Sequence, residues 1–84
     1  MPFFLGENTI GRNKKKARIV INERSISSLH AKLKVTQHHM TIADCSSTNG
    51  IRINSKESNV LSNLNEVAID QQMVIYMGDV KCRF

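Results

Sequence analysis

Wherever apolar residues recur regularly in this chain, they recur at every second position, a spacing that suits strands and not helices. Ala31-Lys32-Leu33-Lys34-Val35 alternates apolar with basic, which places Ala31, Leu33 and Val35 on one face. Thr36-Gln37-His38-His39 reads as a hairpin connection into Met40–Asp44, where Met40 and Ile42 are expected to point inward. Arg18–Ile21, Ile51–Ile53, Val67–Ile69, Met73–Tyr76 and Val80–Phe84 continue the series, with Gly78-Asp79 as a tight turn. The best helical candidate, Val60-Leu61 with Leu64 and Val67, is interrupted by Asn59, Asn63 and Asn65, which favour turns. Many short strands at close spacing predict an all-β sandwich or barrel.

The 84 residues allow one domain over positions 1–84. A chain of this size buries only about 60–65% of the surface it exposes when unfolded, so modest stability is expected. With three Phe, one Tyr and no Trp, the core must rest on Ile, Val, Leu and Met. No run approaches the roughly 18 apolar residues a membrane-crossing helix needs, so no membrane partner is expected. Met1–Leu5 is too short, and lacks the basic start, to read as a signal peptide. Cys45 and Cys82 make no disulfide framework, which predicts reduced thiols in a cytoplasmic or nuclear setting.

The formal charge of +5 favours anionic partners, and much of it is concentrated in Asn13-Lys14-Lys15-Lys16-Ala17-Arg18. A solvated loop is one reading of that run; a field drawing acidic or phosphorylated ligands toward Arg12 is the other. Nucleic acid is disfavoured as a partner, because the aromatic interleaving of a single-strand binder is missing. Cys45, Cys82, His38 and His39 lack the paired spacing of zinc ligands, so neither a metal nor any other cofactor is expected.

Three short motifs carry the chemistry: Gly11-Arg12, then Ser27-Ser28-Leu29-His30, then Asp44-Cys45-Ser46-Ser47-Thr48-Asn49-Gly50. Glycine lets the chain turn sharply, and the arginine then offers a planar fork of donors to two oxygens of one anion. In this order, with strands between them, they resemble the forkhead-associated (FHA) domains, a family of phospho-motif readers. The resemblance covers nearly the whole chain. It implies an antiparallel β-sandwich of the FHA/SMAD-like kind that binds phosphothreonine-containing proteins through loops at one end. It assigns Arg12 and Ser27 to the phosphate, with Thr48 and Ser28 assisting, and Asn49 to the main chain of the bound peptide. Gly11, His30 and Gly50 would support the site, Gly50 with a positive φ. Asp44 and Ser46 would serve as donors and acceptors within the loop. Within the family, the Pro2–Arg12 and Val60–Cys82 segments are most similar to the amino-terminal modules of DNA-damage checkpoint mediators. That similarity implies a nuclear setting.

Three departures from the family pattern matter. Ser28 stands where a longer donor is usual, and Arg24 or Lys14, Lys15 and Lys16 are the candidates to compensate. Only Phe3–Leu5 and Thr9–Ile10 precede Gly11-Arg12, so the family's first strand is expected to be missing or incomplete. An uncovered edge would then invite a homodimer, and a dimerising FHA scaffold without phosphate recognition is the competing function. The polar Ser55–Asn65 loop carries no family signature. A hydrolase built from Ser27, His30 and Asp44 is the competing enzymatic reading. It is set aside because no nucleophile elbow surrounds the serine, and the chain is expected not to be an enzyme.

Overall fold

The computed structural model describes residues 5–58, 60, 61 and 65–84, and all of its regular elements are strands. They are β1 (Gly6–Gly11), β2 (Ile19–Val20), β3 (Ala31–Val35), β4 (Met40–Asp44), β5 (Ile51–Ile53), β6 (Val67–Ile69), β7 (Ile75–Met77) and β8 (Val80–Cys82). A five-stranded sheet in the order β2-β1-β3-β4-β6 lies with a three-stranded sheet in the order β5-β7-β8. The expected β-sandwich is the fold observed.

Alternation explains how the layers close. In β3, Ala31 and Leu33 are fully buried and Val35 nearly so, while Lys32 and Lys34 carry the other face. Lys32 pairs there with Glu7 at 3.2 Å, and Lys34 with Glu66 at 2.6 Å. Ile10, Ile42 and Ile69 join β3 from the larger sheet; Ile51, Ile75, Met77 and Cys82 meet them from the smaller one. Met40 packs on this cluster while partly exposed, and Phe84 closes its end.

Two details depart from expectation. The sandwich is not wholly antiparallel: β2 pairs in parallel with β1 through Ile10–Ile19 and Gly11–Val20. Only two residues pair, and the short connection is held by Arg18 N–H donating to Thr9 O at 3.0 Å and Thr9 Oγ1 at 2.9 Å. The Met73–Tyr76 strand is shifted to Ile75–Met77. Asp70 Oδ1 takes the Gln72 and Met73 N–H groups, and Asn54 Oδ1 takes that of Val74, so those residues belong to a loop. Phe3 and Phe4 of the Phe3–Leu5 segment lie outside the described residues, as do Asn59, Asn63 and Leu64. The Gly78-Asp79 turn is present, with Gly78 at φ 57° between the paired Met77 and Val80.

Burial pushes the thiols of both Cys45 and Cys82 up, opposed at Cys45 by the nearby Lys32 charge. Less thiolate at a given pH means slower alkylation. At pH 8 the folded protein is therefore expected to react slowly with iodoacetamide. Cys45 is expected to react before Cys82, which is only 3% exposed. Mass spectrometry checks this, and the two rates should converge in urea.

Candidate functional site

The three motifs lie on three loops that hydrogen bonds draw together at one end of the sandwich. Gly11 ends β1, and a Cβ built on it would stand 2.1 Å from the Ser28 carbonyl oxygen, so only glycine fits against that backbone. From there Arg12 N–H donates to Ser27 O at 2.9 Å, and Asn13 N–H to Ser28 O at 3.2 Å. The Ser27 hydroxyl in turn accepts the Thr48 N–H at 2.9 Å. Arg12, Ser27 and Thr48 are thus joined by two consecutive short links. Because Ser27 Oγ accepts in that bond, its own hydrogen is left to donate.

His30 is the buried pin of the arrangement, with 0% exposure. Its Nδ1 accepts the Ser27 N–H at 3.1 Å, and Nε2 lies 2.9 Å from Gly50 O. A carbonyl can only accept, so Nε2 carries the proton and Nδ1 the lone pair. One ring therefore ties the serine loop to the end of the Asp44–Gly50 loop. The backbone of His30 adds two bonds, from its N–H to Ile10 O and from Cys45 N–H to its carbonyl. The Ser27–His30–Asp44 relay weighed from the sequence is not assembled. The imidazole meets the serine's backbone N–H, and Asp44 is engaged with Ser47.

The Asp44–Gly50 loop is organised from within. Asp44 is 4% exposed and accepts both the hydroxyl and the N–H of Ser47, while Ser47 Oγ accepts Gly50 N–H at 2.9 Å. Asp44 is the expected internal acceptor, and its hydroxyl partner is Ser47. Ser46 sits at the bend with φ 55°, and Gly50 has the expected positive φ, 76°. Asn49 is exposed and donates from Nδ2 to Ser25 O at 2.9 Å, which leaves Oδ1 and a second amide hydrogen for a ligand.

The charged and hydroxyl side chains at this end face solvent. Arg12, Ser28, Thr48, Lys14, Lys15, Lys16 and Arg24 are all exposed, and Ser27 is partly so. Among the described residues, no carboxylate pairs with Arg12, Arg24 or the three lysines. Arg24 sits on a turn closed by Ile26 N–H donating to Glu23 O, three residues before Ser27.

Two supports were not anticipated from the sequence. Ser25 holds Asn49 through its carbonyl and accepts Asp79 N–H on its hydroxyl at 2.9 Å, tying the β7–β8 turn to the site. Asn13 accepts Lys15 N–H on Oδ1 at 2.8 Å and Lys16 and Ala17 N–H on its carbonyl, folding the lysine run into a turn. The signal for Asn13 was present, since asparagine before a polar run is a common turn former. Nothing local marks Ser25.

No curated protein matches the sequence. Among solved structures, the chain is similar to the FHA domain of the CT664 protein from Chlamydia trachomatis, with 24% identity over 92% of this chain and 74% of that one, at a TM-score of 0.79. It is similar to an FHA domain studied for phosphothreonine-dependent interactions, with 24% identity, 94% and 75% coverage, and a TM-score of 0.77. The MEK1 FHA domain in complex with a HOP1 phosphothreonine peptide shows 25% identity, 92% and 78% coverage, and a TM-score of 0.73. Likeness at this level speaks to the fold. The FHA domain family model, however, matches residues 8–78, a span containing all three motifs, and the chain belongs to the FHA domain family.

Proposed function

We propose that this chain is a non-catalytic module that binds phosphothreonine on partner proteins. The observation that carries the reading is the linked set Arg12–Ser27–Thr48, with the Arg12 side chain exposed and unpaired among the described residues. A phosphate monoester there would meet a guanidinium fork and two hydroxyls, the donor types that suit a dianion. Asn49 would hold the peptide main chain. The solved relative bound to a phosphothreonine peptide supports the same ligand class. Capture from a peptide library tests it: phosphothreonine peptides are expected to be retained over their unphosphorylated counterparts. Equal retention of both would end the reading.

The DNA-damage and nuclear setting rests on the resemblance of the Pro2–Arg12 and Val60–Cys82 segments to checkpoint mediators. It is tested by imaging the tagged protein before and after irradiation.

One observation favours a second reading, a homodimer. β2 covers only Ile10 and Gly11 of β1, while Leu5, just before the opposite end of β1, and Val20, on β2 itself, are 69% and 46% exposed. A second copy adding a strand there would make mass by sedimentation depend on concentration, with or without phosphopeptide.

A further inference from the structure

We propose that the Lys14–Lys16 turn is a second anion subsite. The preferred ligand would then carry another anionic group, an acidic side chain or a second phosphate, close to its phosphothreonine. This rests on the reading of Arg12 and Ser27 as the phosphate clamp and names the class of peptide that clamp would select.

The turn is built, not merely charged. Asn13 caps it from within through Lys15 N–H on Oδ1 and Lys16 and Ala17 N–H on its carbonyl. One end is tied to the serine loop by Asn13 N–H on Ser28 O at 3.2 Å. The other is anchored by Ala17, 7% exposed, and by Arg18 N–H on Thr9. The three lysines are therefore presented beside Ser28 on a fixed backbone, and less ordering entropy is lost when an anion binds.

The local charge is also left unbalanced. Of the seven acidic residues, Glu7 and Glu66 pair with lysines on the sheet face, and Asp44 is buried against Ser47. Glu57 is bonded to Ser55, and Asp70 caps its own turn. Among the described residues, Glu23 and Asp79 have no such side-chain bond, and neither forms an ion pair with a lysine of this turn. Ser28, a short side chain, adds no charge beside Arg12.

Distance sets the spacing of the second anion. A turn of this type keeps Asn13 and Lys16 within about 7 Å at Cα. An extended peptide advances about 3.3 Å per residue. Because Asn13 N–H on Ser28 O holds the start of the turn against the serine loop, the spacing to test is an acidic group two to four positions from the phosphothreonine, about 7–13 Å along an extended peptide.

Fluorescence anisotropy on the intact chain tests this with four peptides: phosphothreonine in a neutral context, the same with glutamates two to four positions away, the same with a second phosphothreonine there, and the unphosphorylated acidic peptide. At low salt the doubly anionic phosphopeptides are expected to bind roughly three- to thirtyfold tighter than the neutral one, from a few exposed ion pairs. The stronger of the two identifies the source of the second anion. With Lys14→Gln, Lys15→Gln and Lys16→Gln combined, that ratio is expected to fall to near one, as it is in high salt. Equal binding of neutral and acidic phosphopeptides, or a ratio untouched by the triple change, overturns the subsite and leaves the clamp standing. Failure to bind any phosphothreonine peptide removes both. Lysine-dependent binding of duplex DNA without preference for acidic phosphopeptides overturns the proposal in favour of a nucleic-acid surface.

Discussion

His30→Ala is expected to lower stability by about 3–6 kcal/mol, the largest single-residue effect the structure predicts. The ring is fully buried; it accepts the Ser27 N–H and donates to the Gly50 carbonyl at 2.9 Å, a carbonyl that otherwise receives only the longer 3.4 Å bond from Gly78 N–H. Deleting it leaves the partly buried Ser27 N–H without its partner, at about 1–3 kcal/mol, and the buried Gly50 carbonyl with only the long bond from Gly78. The emptied volume adds a packing loss. At about 0.05–0.15 kcal/mol per residue, a domain of this length holds only about 4–13 kcal/mol in total. Much of the variant is therefore expected to be unfolded at 37 °C. Urea titration followed by circular dichroism measures the loss. Two isosteres divide it: the oxygen of Asn can stand near Nδ1 and keep the Ser27 bond, while the amide nitrogen of Gln can stand near Nε2 and keep the Gly50 bond. Each is expected to recover part of the loss. A His30→Ala change costing under about 1 kcal/mol would show that the imidazole does not hold the two loops.

That pin illustrates what sequence can and cannot reveal here. β3 and β4 were legible because each residue faces either the core or water and the alternation is uninterrupted, with lysines marking the outer face. β2 was legible as a short apolar run but not in its direction, because two residues carry no pairing information and Thr9 supplies the deciding bonds. The start of β7 was misplaced because Asp70 and Asn54, which capture the N–H groups of residues 72–74, act across a turn and across twenty positions. The same division holds at the site. Arg12, Ser27 and Thr48 stand in local motifs, and the family resemblance those motifs carry implied their gathering at one end. Ser25 could not be found this way, since its hydroxyl meets a backbone N–H 54 residues away. Hydroxyl partners depend on where loops finish in space, and that is set by the packing of the two sheets.

Arg12→Ala is expected to weaken phosphothreonine binding by tenfold to a hundredfold or more while leaving the fold intact. The two consequences separate because the residue has two roles. Its backbone N–H holds Ser27 O, which alanine retains, whereas its side chain is exposed and pairs with no carboxylate among the described residues. A charged hydrogen bond contributes about 1.5–3 kcal/mol, and each 1.4 kcal/mol is a tenfold change in affinity. Arg12→Lys keeps the charge but not the fork, so it is expected to fall between wild type and alanine. The pH dependence adds a second readout. The phosphate's second proton leaves near pH 6, so the dianion, and with it wild-type affinity, is lost as pH falls through that value. Arg12→Ala is expected to flatten this dependence, because the group that distinguishes the dianion from the monoanion is gone. Calorimetric titration of one phosphopeptide at pH 5.0 and 7.5 gives both results, with the thermal melt of each variant as the control for folding. Full affinity and an unchanged pH profile in Arg12→Ala would place the phosphate elsewhere on the molecule and remove the basis for the binding mode.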